Sequence, residues 1–398
     1  MIYSMTNNGK YFFCLALLLQ PLLRLYGLPG IGGTFGDYTI ILVVLYIILK
    51  KNSRISRINS VSETIELLPI LICVTVNILF TWDFSFGIGN QLICWMRNLL
   101  YYFVLVYGVK SFYSIEHGYK AYRIIAYACT LFSMVQTVAS SVFNIYIPGQ
   151  FGSFALTDLA AQRENYDIYS HYNLFRPDSF FTEPAHYATF VSGFMILCSL
   201  REVNKKNIFA MIFCSFGVLL SGSTTGIVMV TFIWAGWLFR TLRKKNNIKW
   251  VFPTVVLAIV ALSIVAKSDS FQLMMSRTFD TQDALNSRFS WMEEFAVLNT
   301  PLDWLFGKGN SNDAIKLMGW LPGWPMILVE YGIIGLFLFI SSYLLMFFHV
   351  NRFGKNILLF FIVLGMGTEV VADMYILVIL PFVINSNSVS ETKRISTT

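Results

Sequence analysis

A chain of 398 residues that is 56% hydrophobic and only 13% charged is not a soluble domain, in which about 25% of residues carry charge. Its net charge of +7 does not mark a nucleic-acid binder: the Lys and Arg residues sit in short gaps between apolar runs, with no basic stripe of interleaved aromatics. All six cysteines, Cys14, Cys73, Cys94, Cys129, Cys198 and Cys214, fall inside those runs, which argues against a disulfide scaffold and leaves no Cys–His spacing for zinc.

In chain order the apolar runs lie near 11–28, 36–50, 64–82, 91–109, 122–147, 185–200, 207–221, 223–239, 248–266, 323–348, 355–368 and 370–384. Most approach the ~20 residues a helix needs to cross ~30 Å of hydrocarbon; the shorter ones need tilt or a locally thinner bilayer. Basic residues fall in alternate gaps. These gaps carry Lys51, Arg54 and Arg57, then Lys110, Lys120 and Arg123, then Arg201, Lys205 and Lys206. Arg240, Arg243, Lys244, Lys245 and Lys249 follow, then Arg352 and Lys355; Lys10, Lys393 and Arg394 fall on the same side. By the positive-inside rule that side is the cytoplasm. The expected fold is all-α: a polytopic protein of about 12 transmembrane helices, one integral-membrane domain over 1–398, with both termini cytoplasmic. Two large outer, periplasmic loops are expected at about 148–184 and 268–322. No gap holds a nucleotide-binding fold, and no P-loop or dinucleotide fingerprint appears. Any reaction must draw its energy from the substrate, and no cofactor or metal is expected.

The first run lacks a small-x-small cleavage site and is interrupted by Gln20, Pro21 and Arg24, so it is expected to stay as a membrane helix. Arg97 lies about six residues into the fourth run. A charge at that depth either pairs structurally or binds a ligand. The first outer loop closes with Phe175-Arg176-Pro177-Asp178-Ser179-Phe180-Phe181-Thr182-Glu183-Pro184-Ala185-His186. Pro184 suits the first turn of the sixth helix, with Thr182 or Glu183 as its cap. That N-terminus faces outward and favours an anion. Arg176, Glu183 and His186 gather there, with His171 upstream. A capping Glu paired to the Arg would explain the same residues without function.

The second outer loop carries Arg277, Asp280, Asp283, Arg288, Trp291, Glu293, Glu294, Asp303, Lys308 and Asp313. Over 287–298, Phe289, Met292, Phe295 and Ala296 share one face at helical spacing, which predicts a short amphipathic helix on the membrane surface. Leu305-Phe306-Gly307-Lys308-Gly309 predicts a turn whose backbone can approach a ligand. Trp304, Trp320 and Trp324 suit an aromatic belt, although an indole also stacks on sugars. Glu330 falls inside the tenth run and can pair with an arginine, whereas Glu369 and Asp373 flank an outer turn.

Four stretches, in this order along the chain, carry a family resemblance. They are Arg176–Pro184; Leu220-Ser221-Gly222-Ser223-Thr224-Thr225-Gly226; Arg288-x-x-Trp291 with Leu305-Phe306-Gly307-x-Gly309; and Glu330-Tyr331-Gly332-Ile333-Ile334-Gly335-Leu336. Together they resemble the Wzy-type polysaccharide polymerases, which are grouped with the O-antigen ligases. Two positions depart from the pattern. Thr224 stands where many members have Arg, and Gly323-Trp324 stands near the His-Asn pair of ligases. The second departure favours a polymerase.

The resemblance implies an undecaprenyl-diphosphate-linked oligosaccharide as substrate, polymerised at the outer face of a bacterial inner membrane into O-antigen, capsule or exopolysaccharide. It implies a chain-length regulator and a flippase as pathway partners. The diphosphate is a built-in leaving group that wants planar, permanently cationic donors. Arg176 and Arg288 come first, then Arg277 and Arg97. Glu183 is the expected base for the attacking hydroxyl, with His186 or His171 as alternatives, and Trp324 and Trp291 are the expected sugar platforms. The alternatives are an O-antigen ligase, differing in acceptor, and a flippase for the lipid-linked unit.

Overall fold

The computed structural model describes residues 7–28, 32–52, 65–81, 88–150, 154–156, 176–243, 251–267, 295–309, 321–368 and 374–387. Among them there is no strand, only one isolated antiparallel bridge between Tyr26 and Ala155. Each of the 12 apolar runs holds a helix. The first half of the chain gives α1 Asn7–Leu18, α2 Gln20–Leu23, α3 Phe35–Asn52, α4 Leu68–Thr81, α5 Ile88–Tyr107, α6 Val109–Phe112 and α7 Ile115–Phe143. The second gives α8 Pro184–Leu200, α9 Lys205–Leu220, α10 Thr224–Leu242, α11 Val251–Val265, α12 Pro301–Phe306, α13 Gly323–His349, α14 Arg352–Leu364 and α15 Ile376–Ile384.

Helix ends follow local chemistry. Asn204, Ser223 and Asn351 each accept a hydrogen bond from the backbone N–H three residues on, at 2.9, 3.2 and 3.0 Å, which satisfies one orphan donor per helix. α7 starts at Ile115, ahead of its apolar run, and takes in Glu116, His117 and Lys120. It stops where Asn144 turns left-handed at φ 53°, a conformation asparagine tolerates. Among the described residues three helices are long and apolar enough to cross a membrane: Ile115–Phe143, Thr224–Leu242 and Gly323–His349. Others, including Pro184–Leu200, are apolar but shorter. The large apolar side chains exposed along α3, α10 and α13, such as Leu42, Leu49, Val228, Phe232, Phe337 and Phe348, suit a hydrocarbon solvent rather than water.

The chain gathers into two compact units, Met1–Pro21, Gly33–Ala121 and Ser287–Thr398 in the first, Leu22–Gly32 and Tyr122–Asn286 in the second.

The second unit is built around α8, buried at every residue from Tyr187 to Ser199, as a helix apolar all round should be. Tyr122, Phe181, Phe190 and Phe194 cluster against it, with ring centroids of Tyr122–Phe190 and Phe181–Phe190 at 4.9 and 5.4 Å. α9 and α10 pack on either side. A Cβ at Gly226 would lie 2.8 Å from that of Ala188, so the missing side chain lets α10 approach α8 closely. Both residues sit near the start of their helices. α8 and α10 therefore begin side by side, at the same end of this unit.

The first unit pairs α4 with α5 and α13, α3 with α5, and α14 with α15. α13 is not one straight helix. Gly332, at φ 69° and ψ −172°, breaks it into arms 323–331 and 333–349. Trp324 meets Tyr343 edge-on at 5.8 Å between ring centroids, whereas nineteen residues of continuous helix would separate them by about 28 Å. The arms fold back on each other at the glycine. Two of the first arm's orphan N–H groups are met from the turn after α14: Gly323 N donates to Thr368 O at 2.9 Å and Trp324 N to Gly365 O at 3.2 Å. α14 and α15 are short, 13 and 9 residues, about 20 and 14 Å long.

Candidate functional site

The Arg176–Pro184 stretch runs across the end of the second unit where α8 and α10 begin. Glu183 is the N-cap residue of α8, extended at φ −144° and ψ 148°, and Pro184 takes the first helical position as expected. Its carboxylate makes no capping hydrogen bond, and the residue is exposed. Thr182 does not cap either: its hydroxyl lies 3.1 Å from His186 Nδ1, one turn into the helix. Glu183 is thus the cap expected from sequence by its backbone position, but capping uses neither side chain. Arg176 is partly buried, and its Nε lies out of solvent with no acceptor among the described residues. No ion pair joins it to Glu183 among those residues.

The segment is held by α7. Gln136, wholly buried, donates from Nε2 to Ile147 O, Asp178 Oδ1 and Ser179 O at 3.0, 3.1 and 3.3 Å. Its Oε1 accepts from Ser179 N at 2.8 Å. Ser179 Oγ donates to Cys129 O at 2.7 Å, and Phe180 stacks on Phe132, centroids 4.3 Å apart and rings within 4° of parallel. Ser179 adopts φ 57°, so the chain turns sharply at that point. Burial pushes the Asp178 carboxyl up to about 7, with the Gln136 hydrogen bond pulling the other way. At the start of α10, the turn 221–223 brings in Gly222 at φ 59° and the cap Ser223, with Thr224 and Thr225 partly buried just inside. Two helix N-termini, hydroxyls and a guanidinium at one end of a unit favour a negatively charged group.

In the first unit, Arg97 is committed to a partner. Its Nε and one terminal nitrogen donate to the two Asp37 oxygens at 2.6 and 2.9 Å. Asp37 in turn accepts from Thr34 N at 2.8 Å, and Thr34 Oγ1 accepts from Asp37 N at 3.0 Å, a reciprocal cap at the start of α3. Of the two roles open to Arg97, structural pairing is present in the fold. Trp324 is partly buried and donates its indole N–H to Ile362 O at 3.1 Å.

The Leu305–Gly309 turn and the Glu330–Gly332 break, far apart in sequence, interlock. Breaking the helix leaves carbonyls of α13 unpaired within it. Lys308 N donates to Val329 O at 2.8 Å, Gly309 N to Glu330 O at 3.0 Å, and Asn77 Nδ2 to Glu330 O at 3.1 Å. Glycine is required on both faces: a Cβ at Gly307 would fall 2.3 Å from Glu330 O, and one at Gly332 2.3 Å from Leu305 O. The turn's backbone is engaged with α13 rather than held open for a ligand. Glu330 is 1% exposed. Lys308 pairs with Asp303 at 2.7 Å.

Of the expected amphipathic helix over 287–298, the described part is a single tight turn, Leu298 N donating to Phe295 O at 3.0 Å. Arg277, Arg288, Trp291, His171, Glu369 and Asp373 lie outside the described residues. Arg176, Glu183 and His186 come together in one unit, while Arg97 and Trp324 belong to the other. Sequence reasoning missed Gln136 and Asp178. The signal for Gln136 was present: an amide inside an apolar run is costly unless it has work to do. No protein-family model matches the chain, and no curated protein matches it.

Proposed function

We propose that the chain is a polymerase of the Wzy type, which moves a growing glycan from its polyprenyl diphosphate carrier to a hydroxyl of the next lipid-linked repeat unit. In this reading twelve helical passes leave both termini in the cytoplasm of a bacterial inner membrane, and the 176–184 segment faces outward. The C1–O bond to the diphosphate breaks as the acceptor oxygen attacks, so no nucleotide is consumed. Arg176 holds the departing diphosphate; Glu183, or His186 beside it, takes the hydroxyl proton.

The observation that carries this reading is Arg176 Nε, buried and without an acceptor among the described residues, eight residues before α8 begins. A buried donor left unpaired is costly, and an oxyanion would satisfy it. Aimed charges of this kind contribute ~3–4 kcal/mol to a barrier. Glu183 supports the same reading, because a carboxylate not used for capping remains available as a base.

Deleting the gene tests it. Single repeat units should still reach their final acceptor, with no ladder of longer chains. Purified protein given only undecaprenyl-diphosphate repeat units should extend them without ATP. Long chains stranded on undecaprenol would identify a ligase instead, and units that never reach the outer face a flippase.

A further inference from the structure

A glutamine placed among hydrocarbon must either find partners or be lost, because an unpaired amide in that setting is expensive. Gln136 is 0% exposed, and it spends both ends of its amide on one segment. Its two N–H groups serve three acceptors, Ile147 O, Asp178 Oδ1 and Ser179 O, so one is shared. Its oxygen takes the N–H of Ser179. Cys129, Phe132 and Gln136 lie at helical spacing on α7, so a single face of that helix receives residues 178–180. The fit is close: a Cβ on Gly149 would come within 2.3 Å of Ser179 O. Arg176 lies two residues before this anchor and Glu183 three after it.

We propose that Gln136 is a positioning residue: its amide docks the 176–183 segment on α7 and thereby fixes where Arg176 and Glu183 stand. The inference rests on the proposed polymerase site for the activity it serves, while the docking itself is a property of the fold. Asp178 makes the docking sensitive to protons. The groups set against its carboxyl are Gln136 from α7 and the backbone at Gly149, neither of them charged; Arg176 is the cation of its own segment. Burial in the docked segment disfavours the charged carboxylate more than the Gln136 hydrogen bond favours it, so the clamp loosens as Asp178 ionises.

Hydrogen exchange on the full-length protein in nanodiscs separates docking from catalysis. In Gln136→Leu the amides of Ser179 and Phe181 should exchange about tenfold faster or more, with α8 and α10 unchanged. Gln136→Glu keeps the acceptor for Ser179 N and loses the donors, so its exchange should fall between. In the polymer assay, wild-type rate should fall as pH rises through about 7. Asp178→Asn should flatten that fall. Gln136→Leu should move it to higher pH, because the hydrogen bond that lowers the Asp178 value is gone, a shift that general destabilisation would not give. Unchanged exchange at 177–181 in both Gln136 variants, or a pH limb that stays in place, overturns the proposal. Should Gln136→Leu loosen every helix, the Gln136→Glu comparison decides by the same criterion. Faster exchange in a protein that makes no polymer under any condition upholds the docking and removes the polymerase reading.

Discussion

Two side chains of the 176–184 segment carry separable predictions. Arg176→Ala should abolish long polymer while the protein still inserts normally, judged by glycan ladders and by membrane-fraction abundance. Arg176→Lys should restore little of it, since an ammonium is a point charge where the guanidinium presents a planar fork. Polymer of normal length and amount from Arg176→Ala would make this arginine structural. Asp178 predicts an effect on stability that needs no activity at all. Its carboxyl titrates near 7 in the folded protein, above its ordinary value of 3.8. Between those values the folded state keeps a proton that the unfolded state has lost. Stability therefore falls as pH rises through this window and levels off above it. Asp178→Asn removes the slope. Its melting temperature should exceed that of wild type by more near pH 8 than near pH 4. The difference should correspond to roughly 1–2 kcal/mol, after discounting for solvent at a partly buried group. Equal differences at both ends would mean that the carboxyl is not perturbed by burial.

Among the elements, α13 shows where a hydropathy reading stops. A continuous apolar run over 323–348 predicts one straight pass, and Gly332 and Gly335 inside it give no warning, since glycine is common in membrane helices. The break is specified by contacts remote in sequence: Leu305–Gly309 fits against Gly332 so closely that neither side tolerates a Cβ. Gly332→Ala combines a positive φ, which costs about 1–2 kcal/mol for a side-chain-bearing residue, with a backbone clash. It should lower the melting temperature sharply. Gly236, in α10, has open space around its Cβ position, so Gly236→Ala should be neutral or stabilising by up to ~1 kcal/mol. If the two variants melt alike, the arms are not locked at Gly332. The Arg97–Asp37 pair is read in the same way. Both side chains are largely buried, 9% and 13% exposed, so removing one partner should cost about 3–5 kcal/mol. A double Arg97→Met, Asp37→Leu variant should recover much of that loss. Polymer returning with it would assign Arg97 to the fold; stability returning without polymer would assign it to substrate.

At the scale of the whole chain, a helix in each long apolar run was legible because burial in lipid demands such runs whatever the function. The site was only half legible. Arg176, Glu183 and His186 announce themselves as chemistry next to a proline-started helix, but Gln136 reaches Asp178 and Ser179 between them from another helix and carries no charge to attract attention. Orientation rests on charge alone, and the ends of the last hairpin sharpen it. Asn351 Nδ2 donates to Ser386 O at 2.6 Å and Asn387 Nδ2 to His349 O at 3.1 Å. α14 therefore starts where α15 ends. Two short helices that leave and return in this way put residue 387 on the same side as Arg352, whether or not each reaches the far surface. Arg352 and Lys355 are basic, so in the proposed orientation that side is the cytoplasm. A reporter active only outside the cytoplasm should therefore stay silent when fused after Thr398 or Asn246, and should give signal after Gln162 or Asn310. Signal at 246 with silence at 162 would invert the chain, place Arg176 and Glu183 inside the cell, and remove them from any lipid-linked glycan on the outer face.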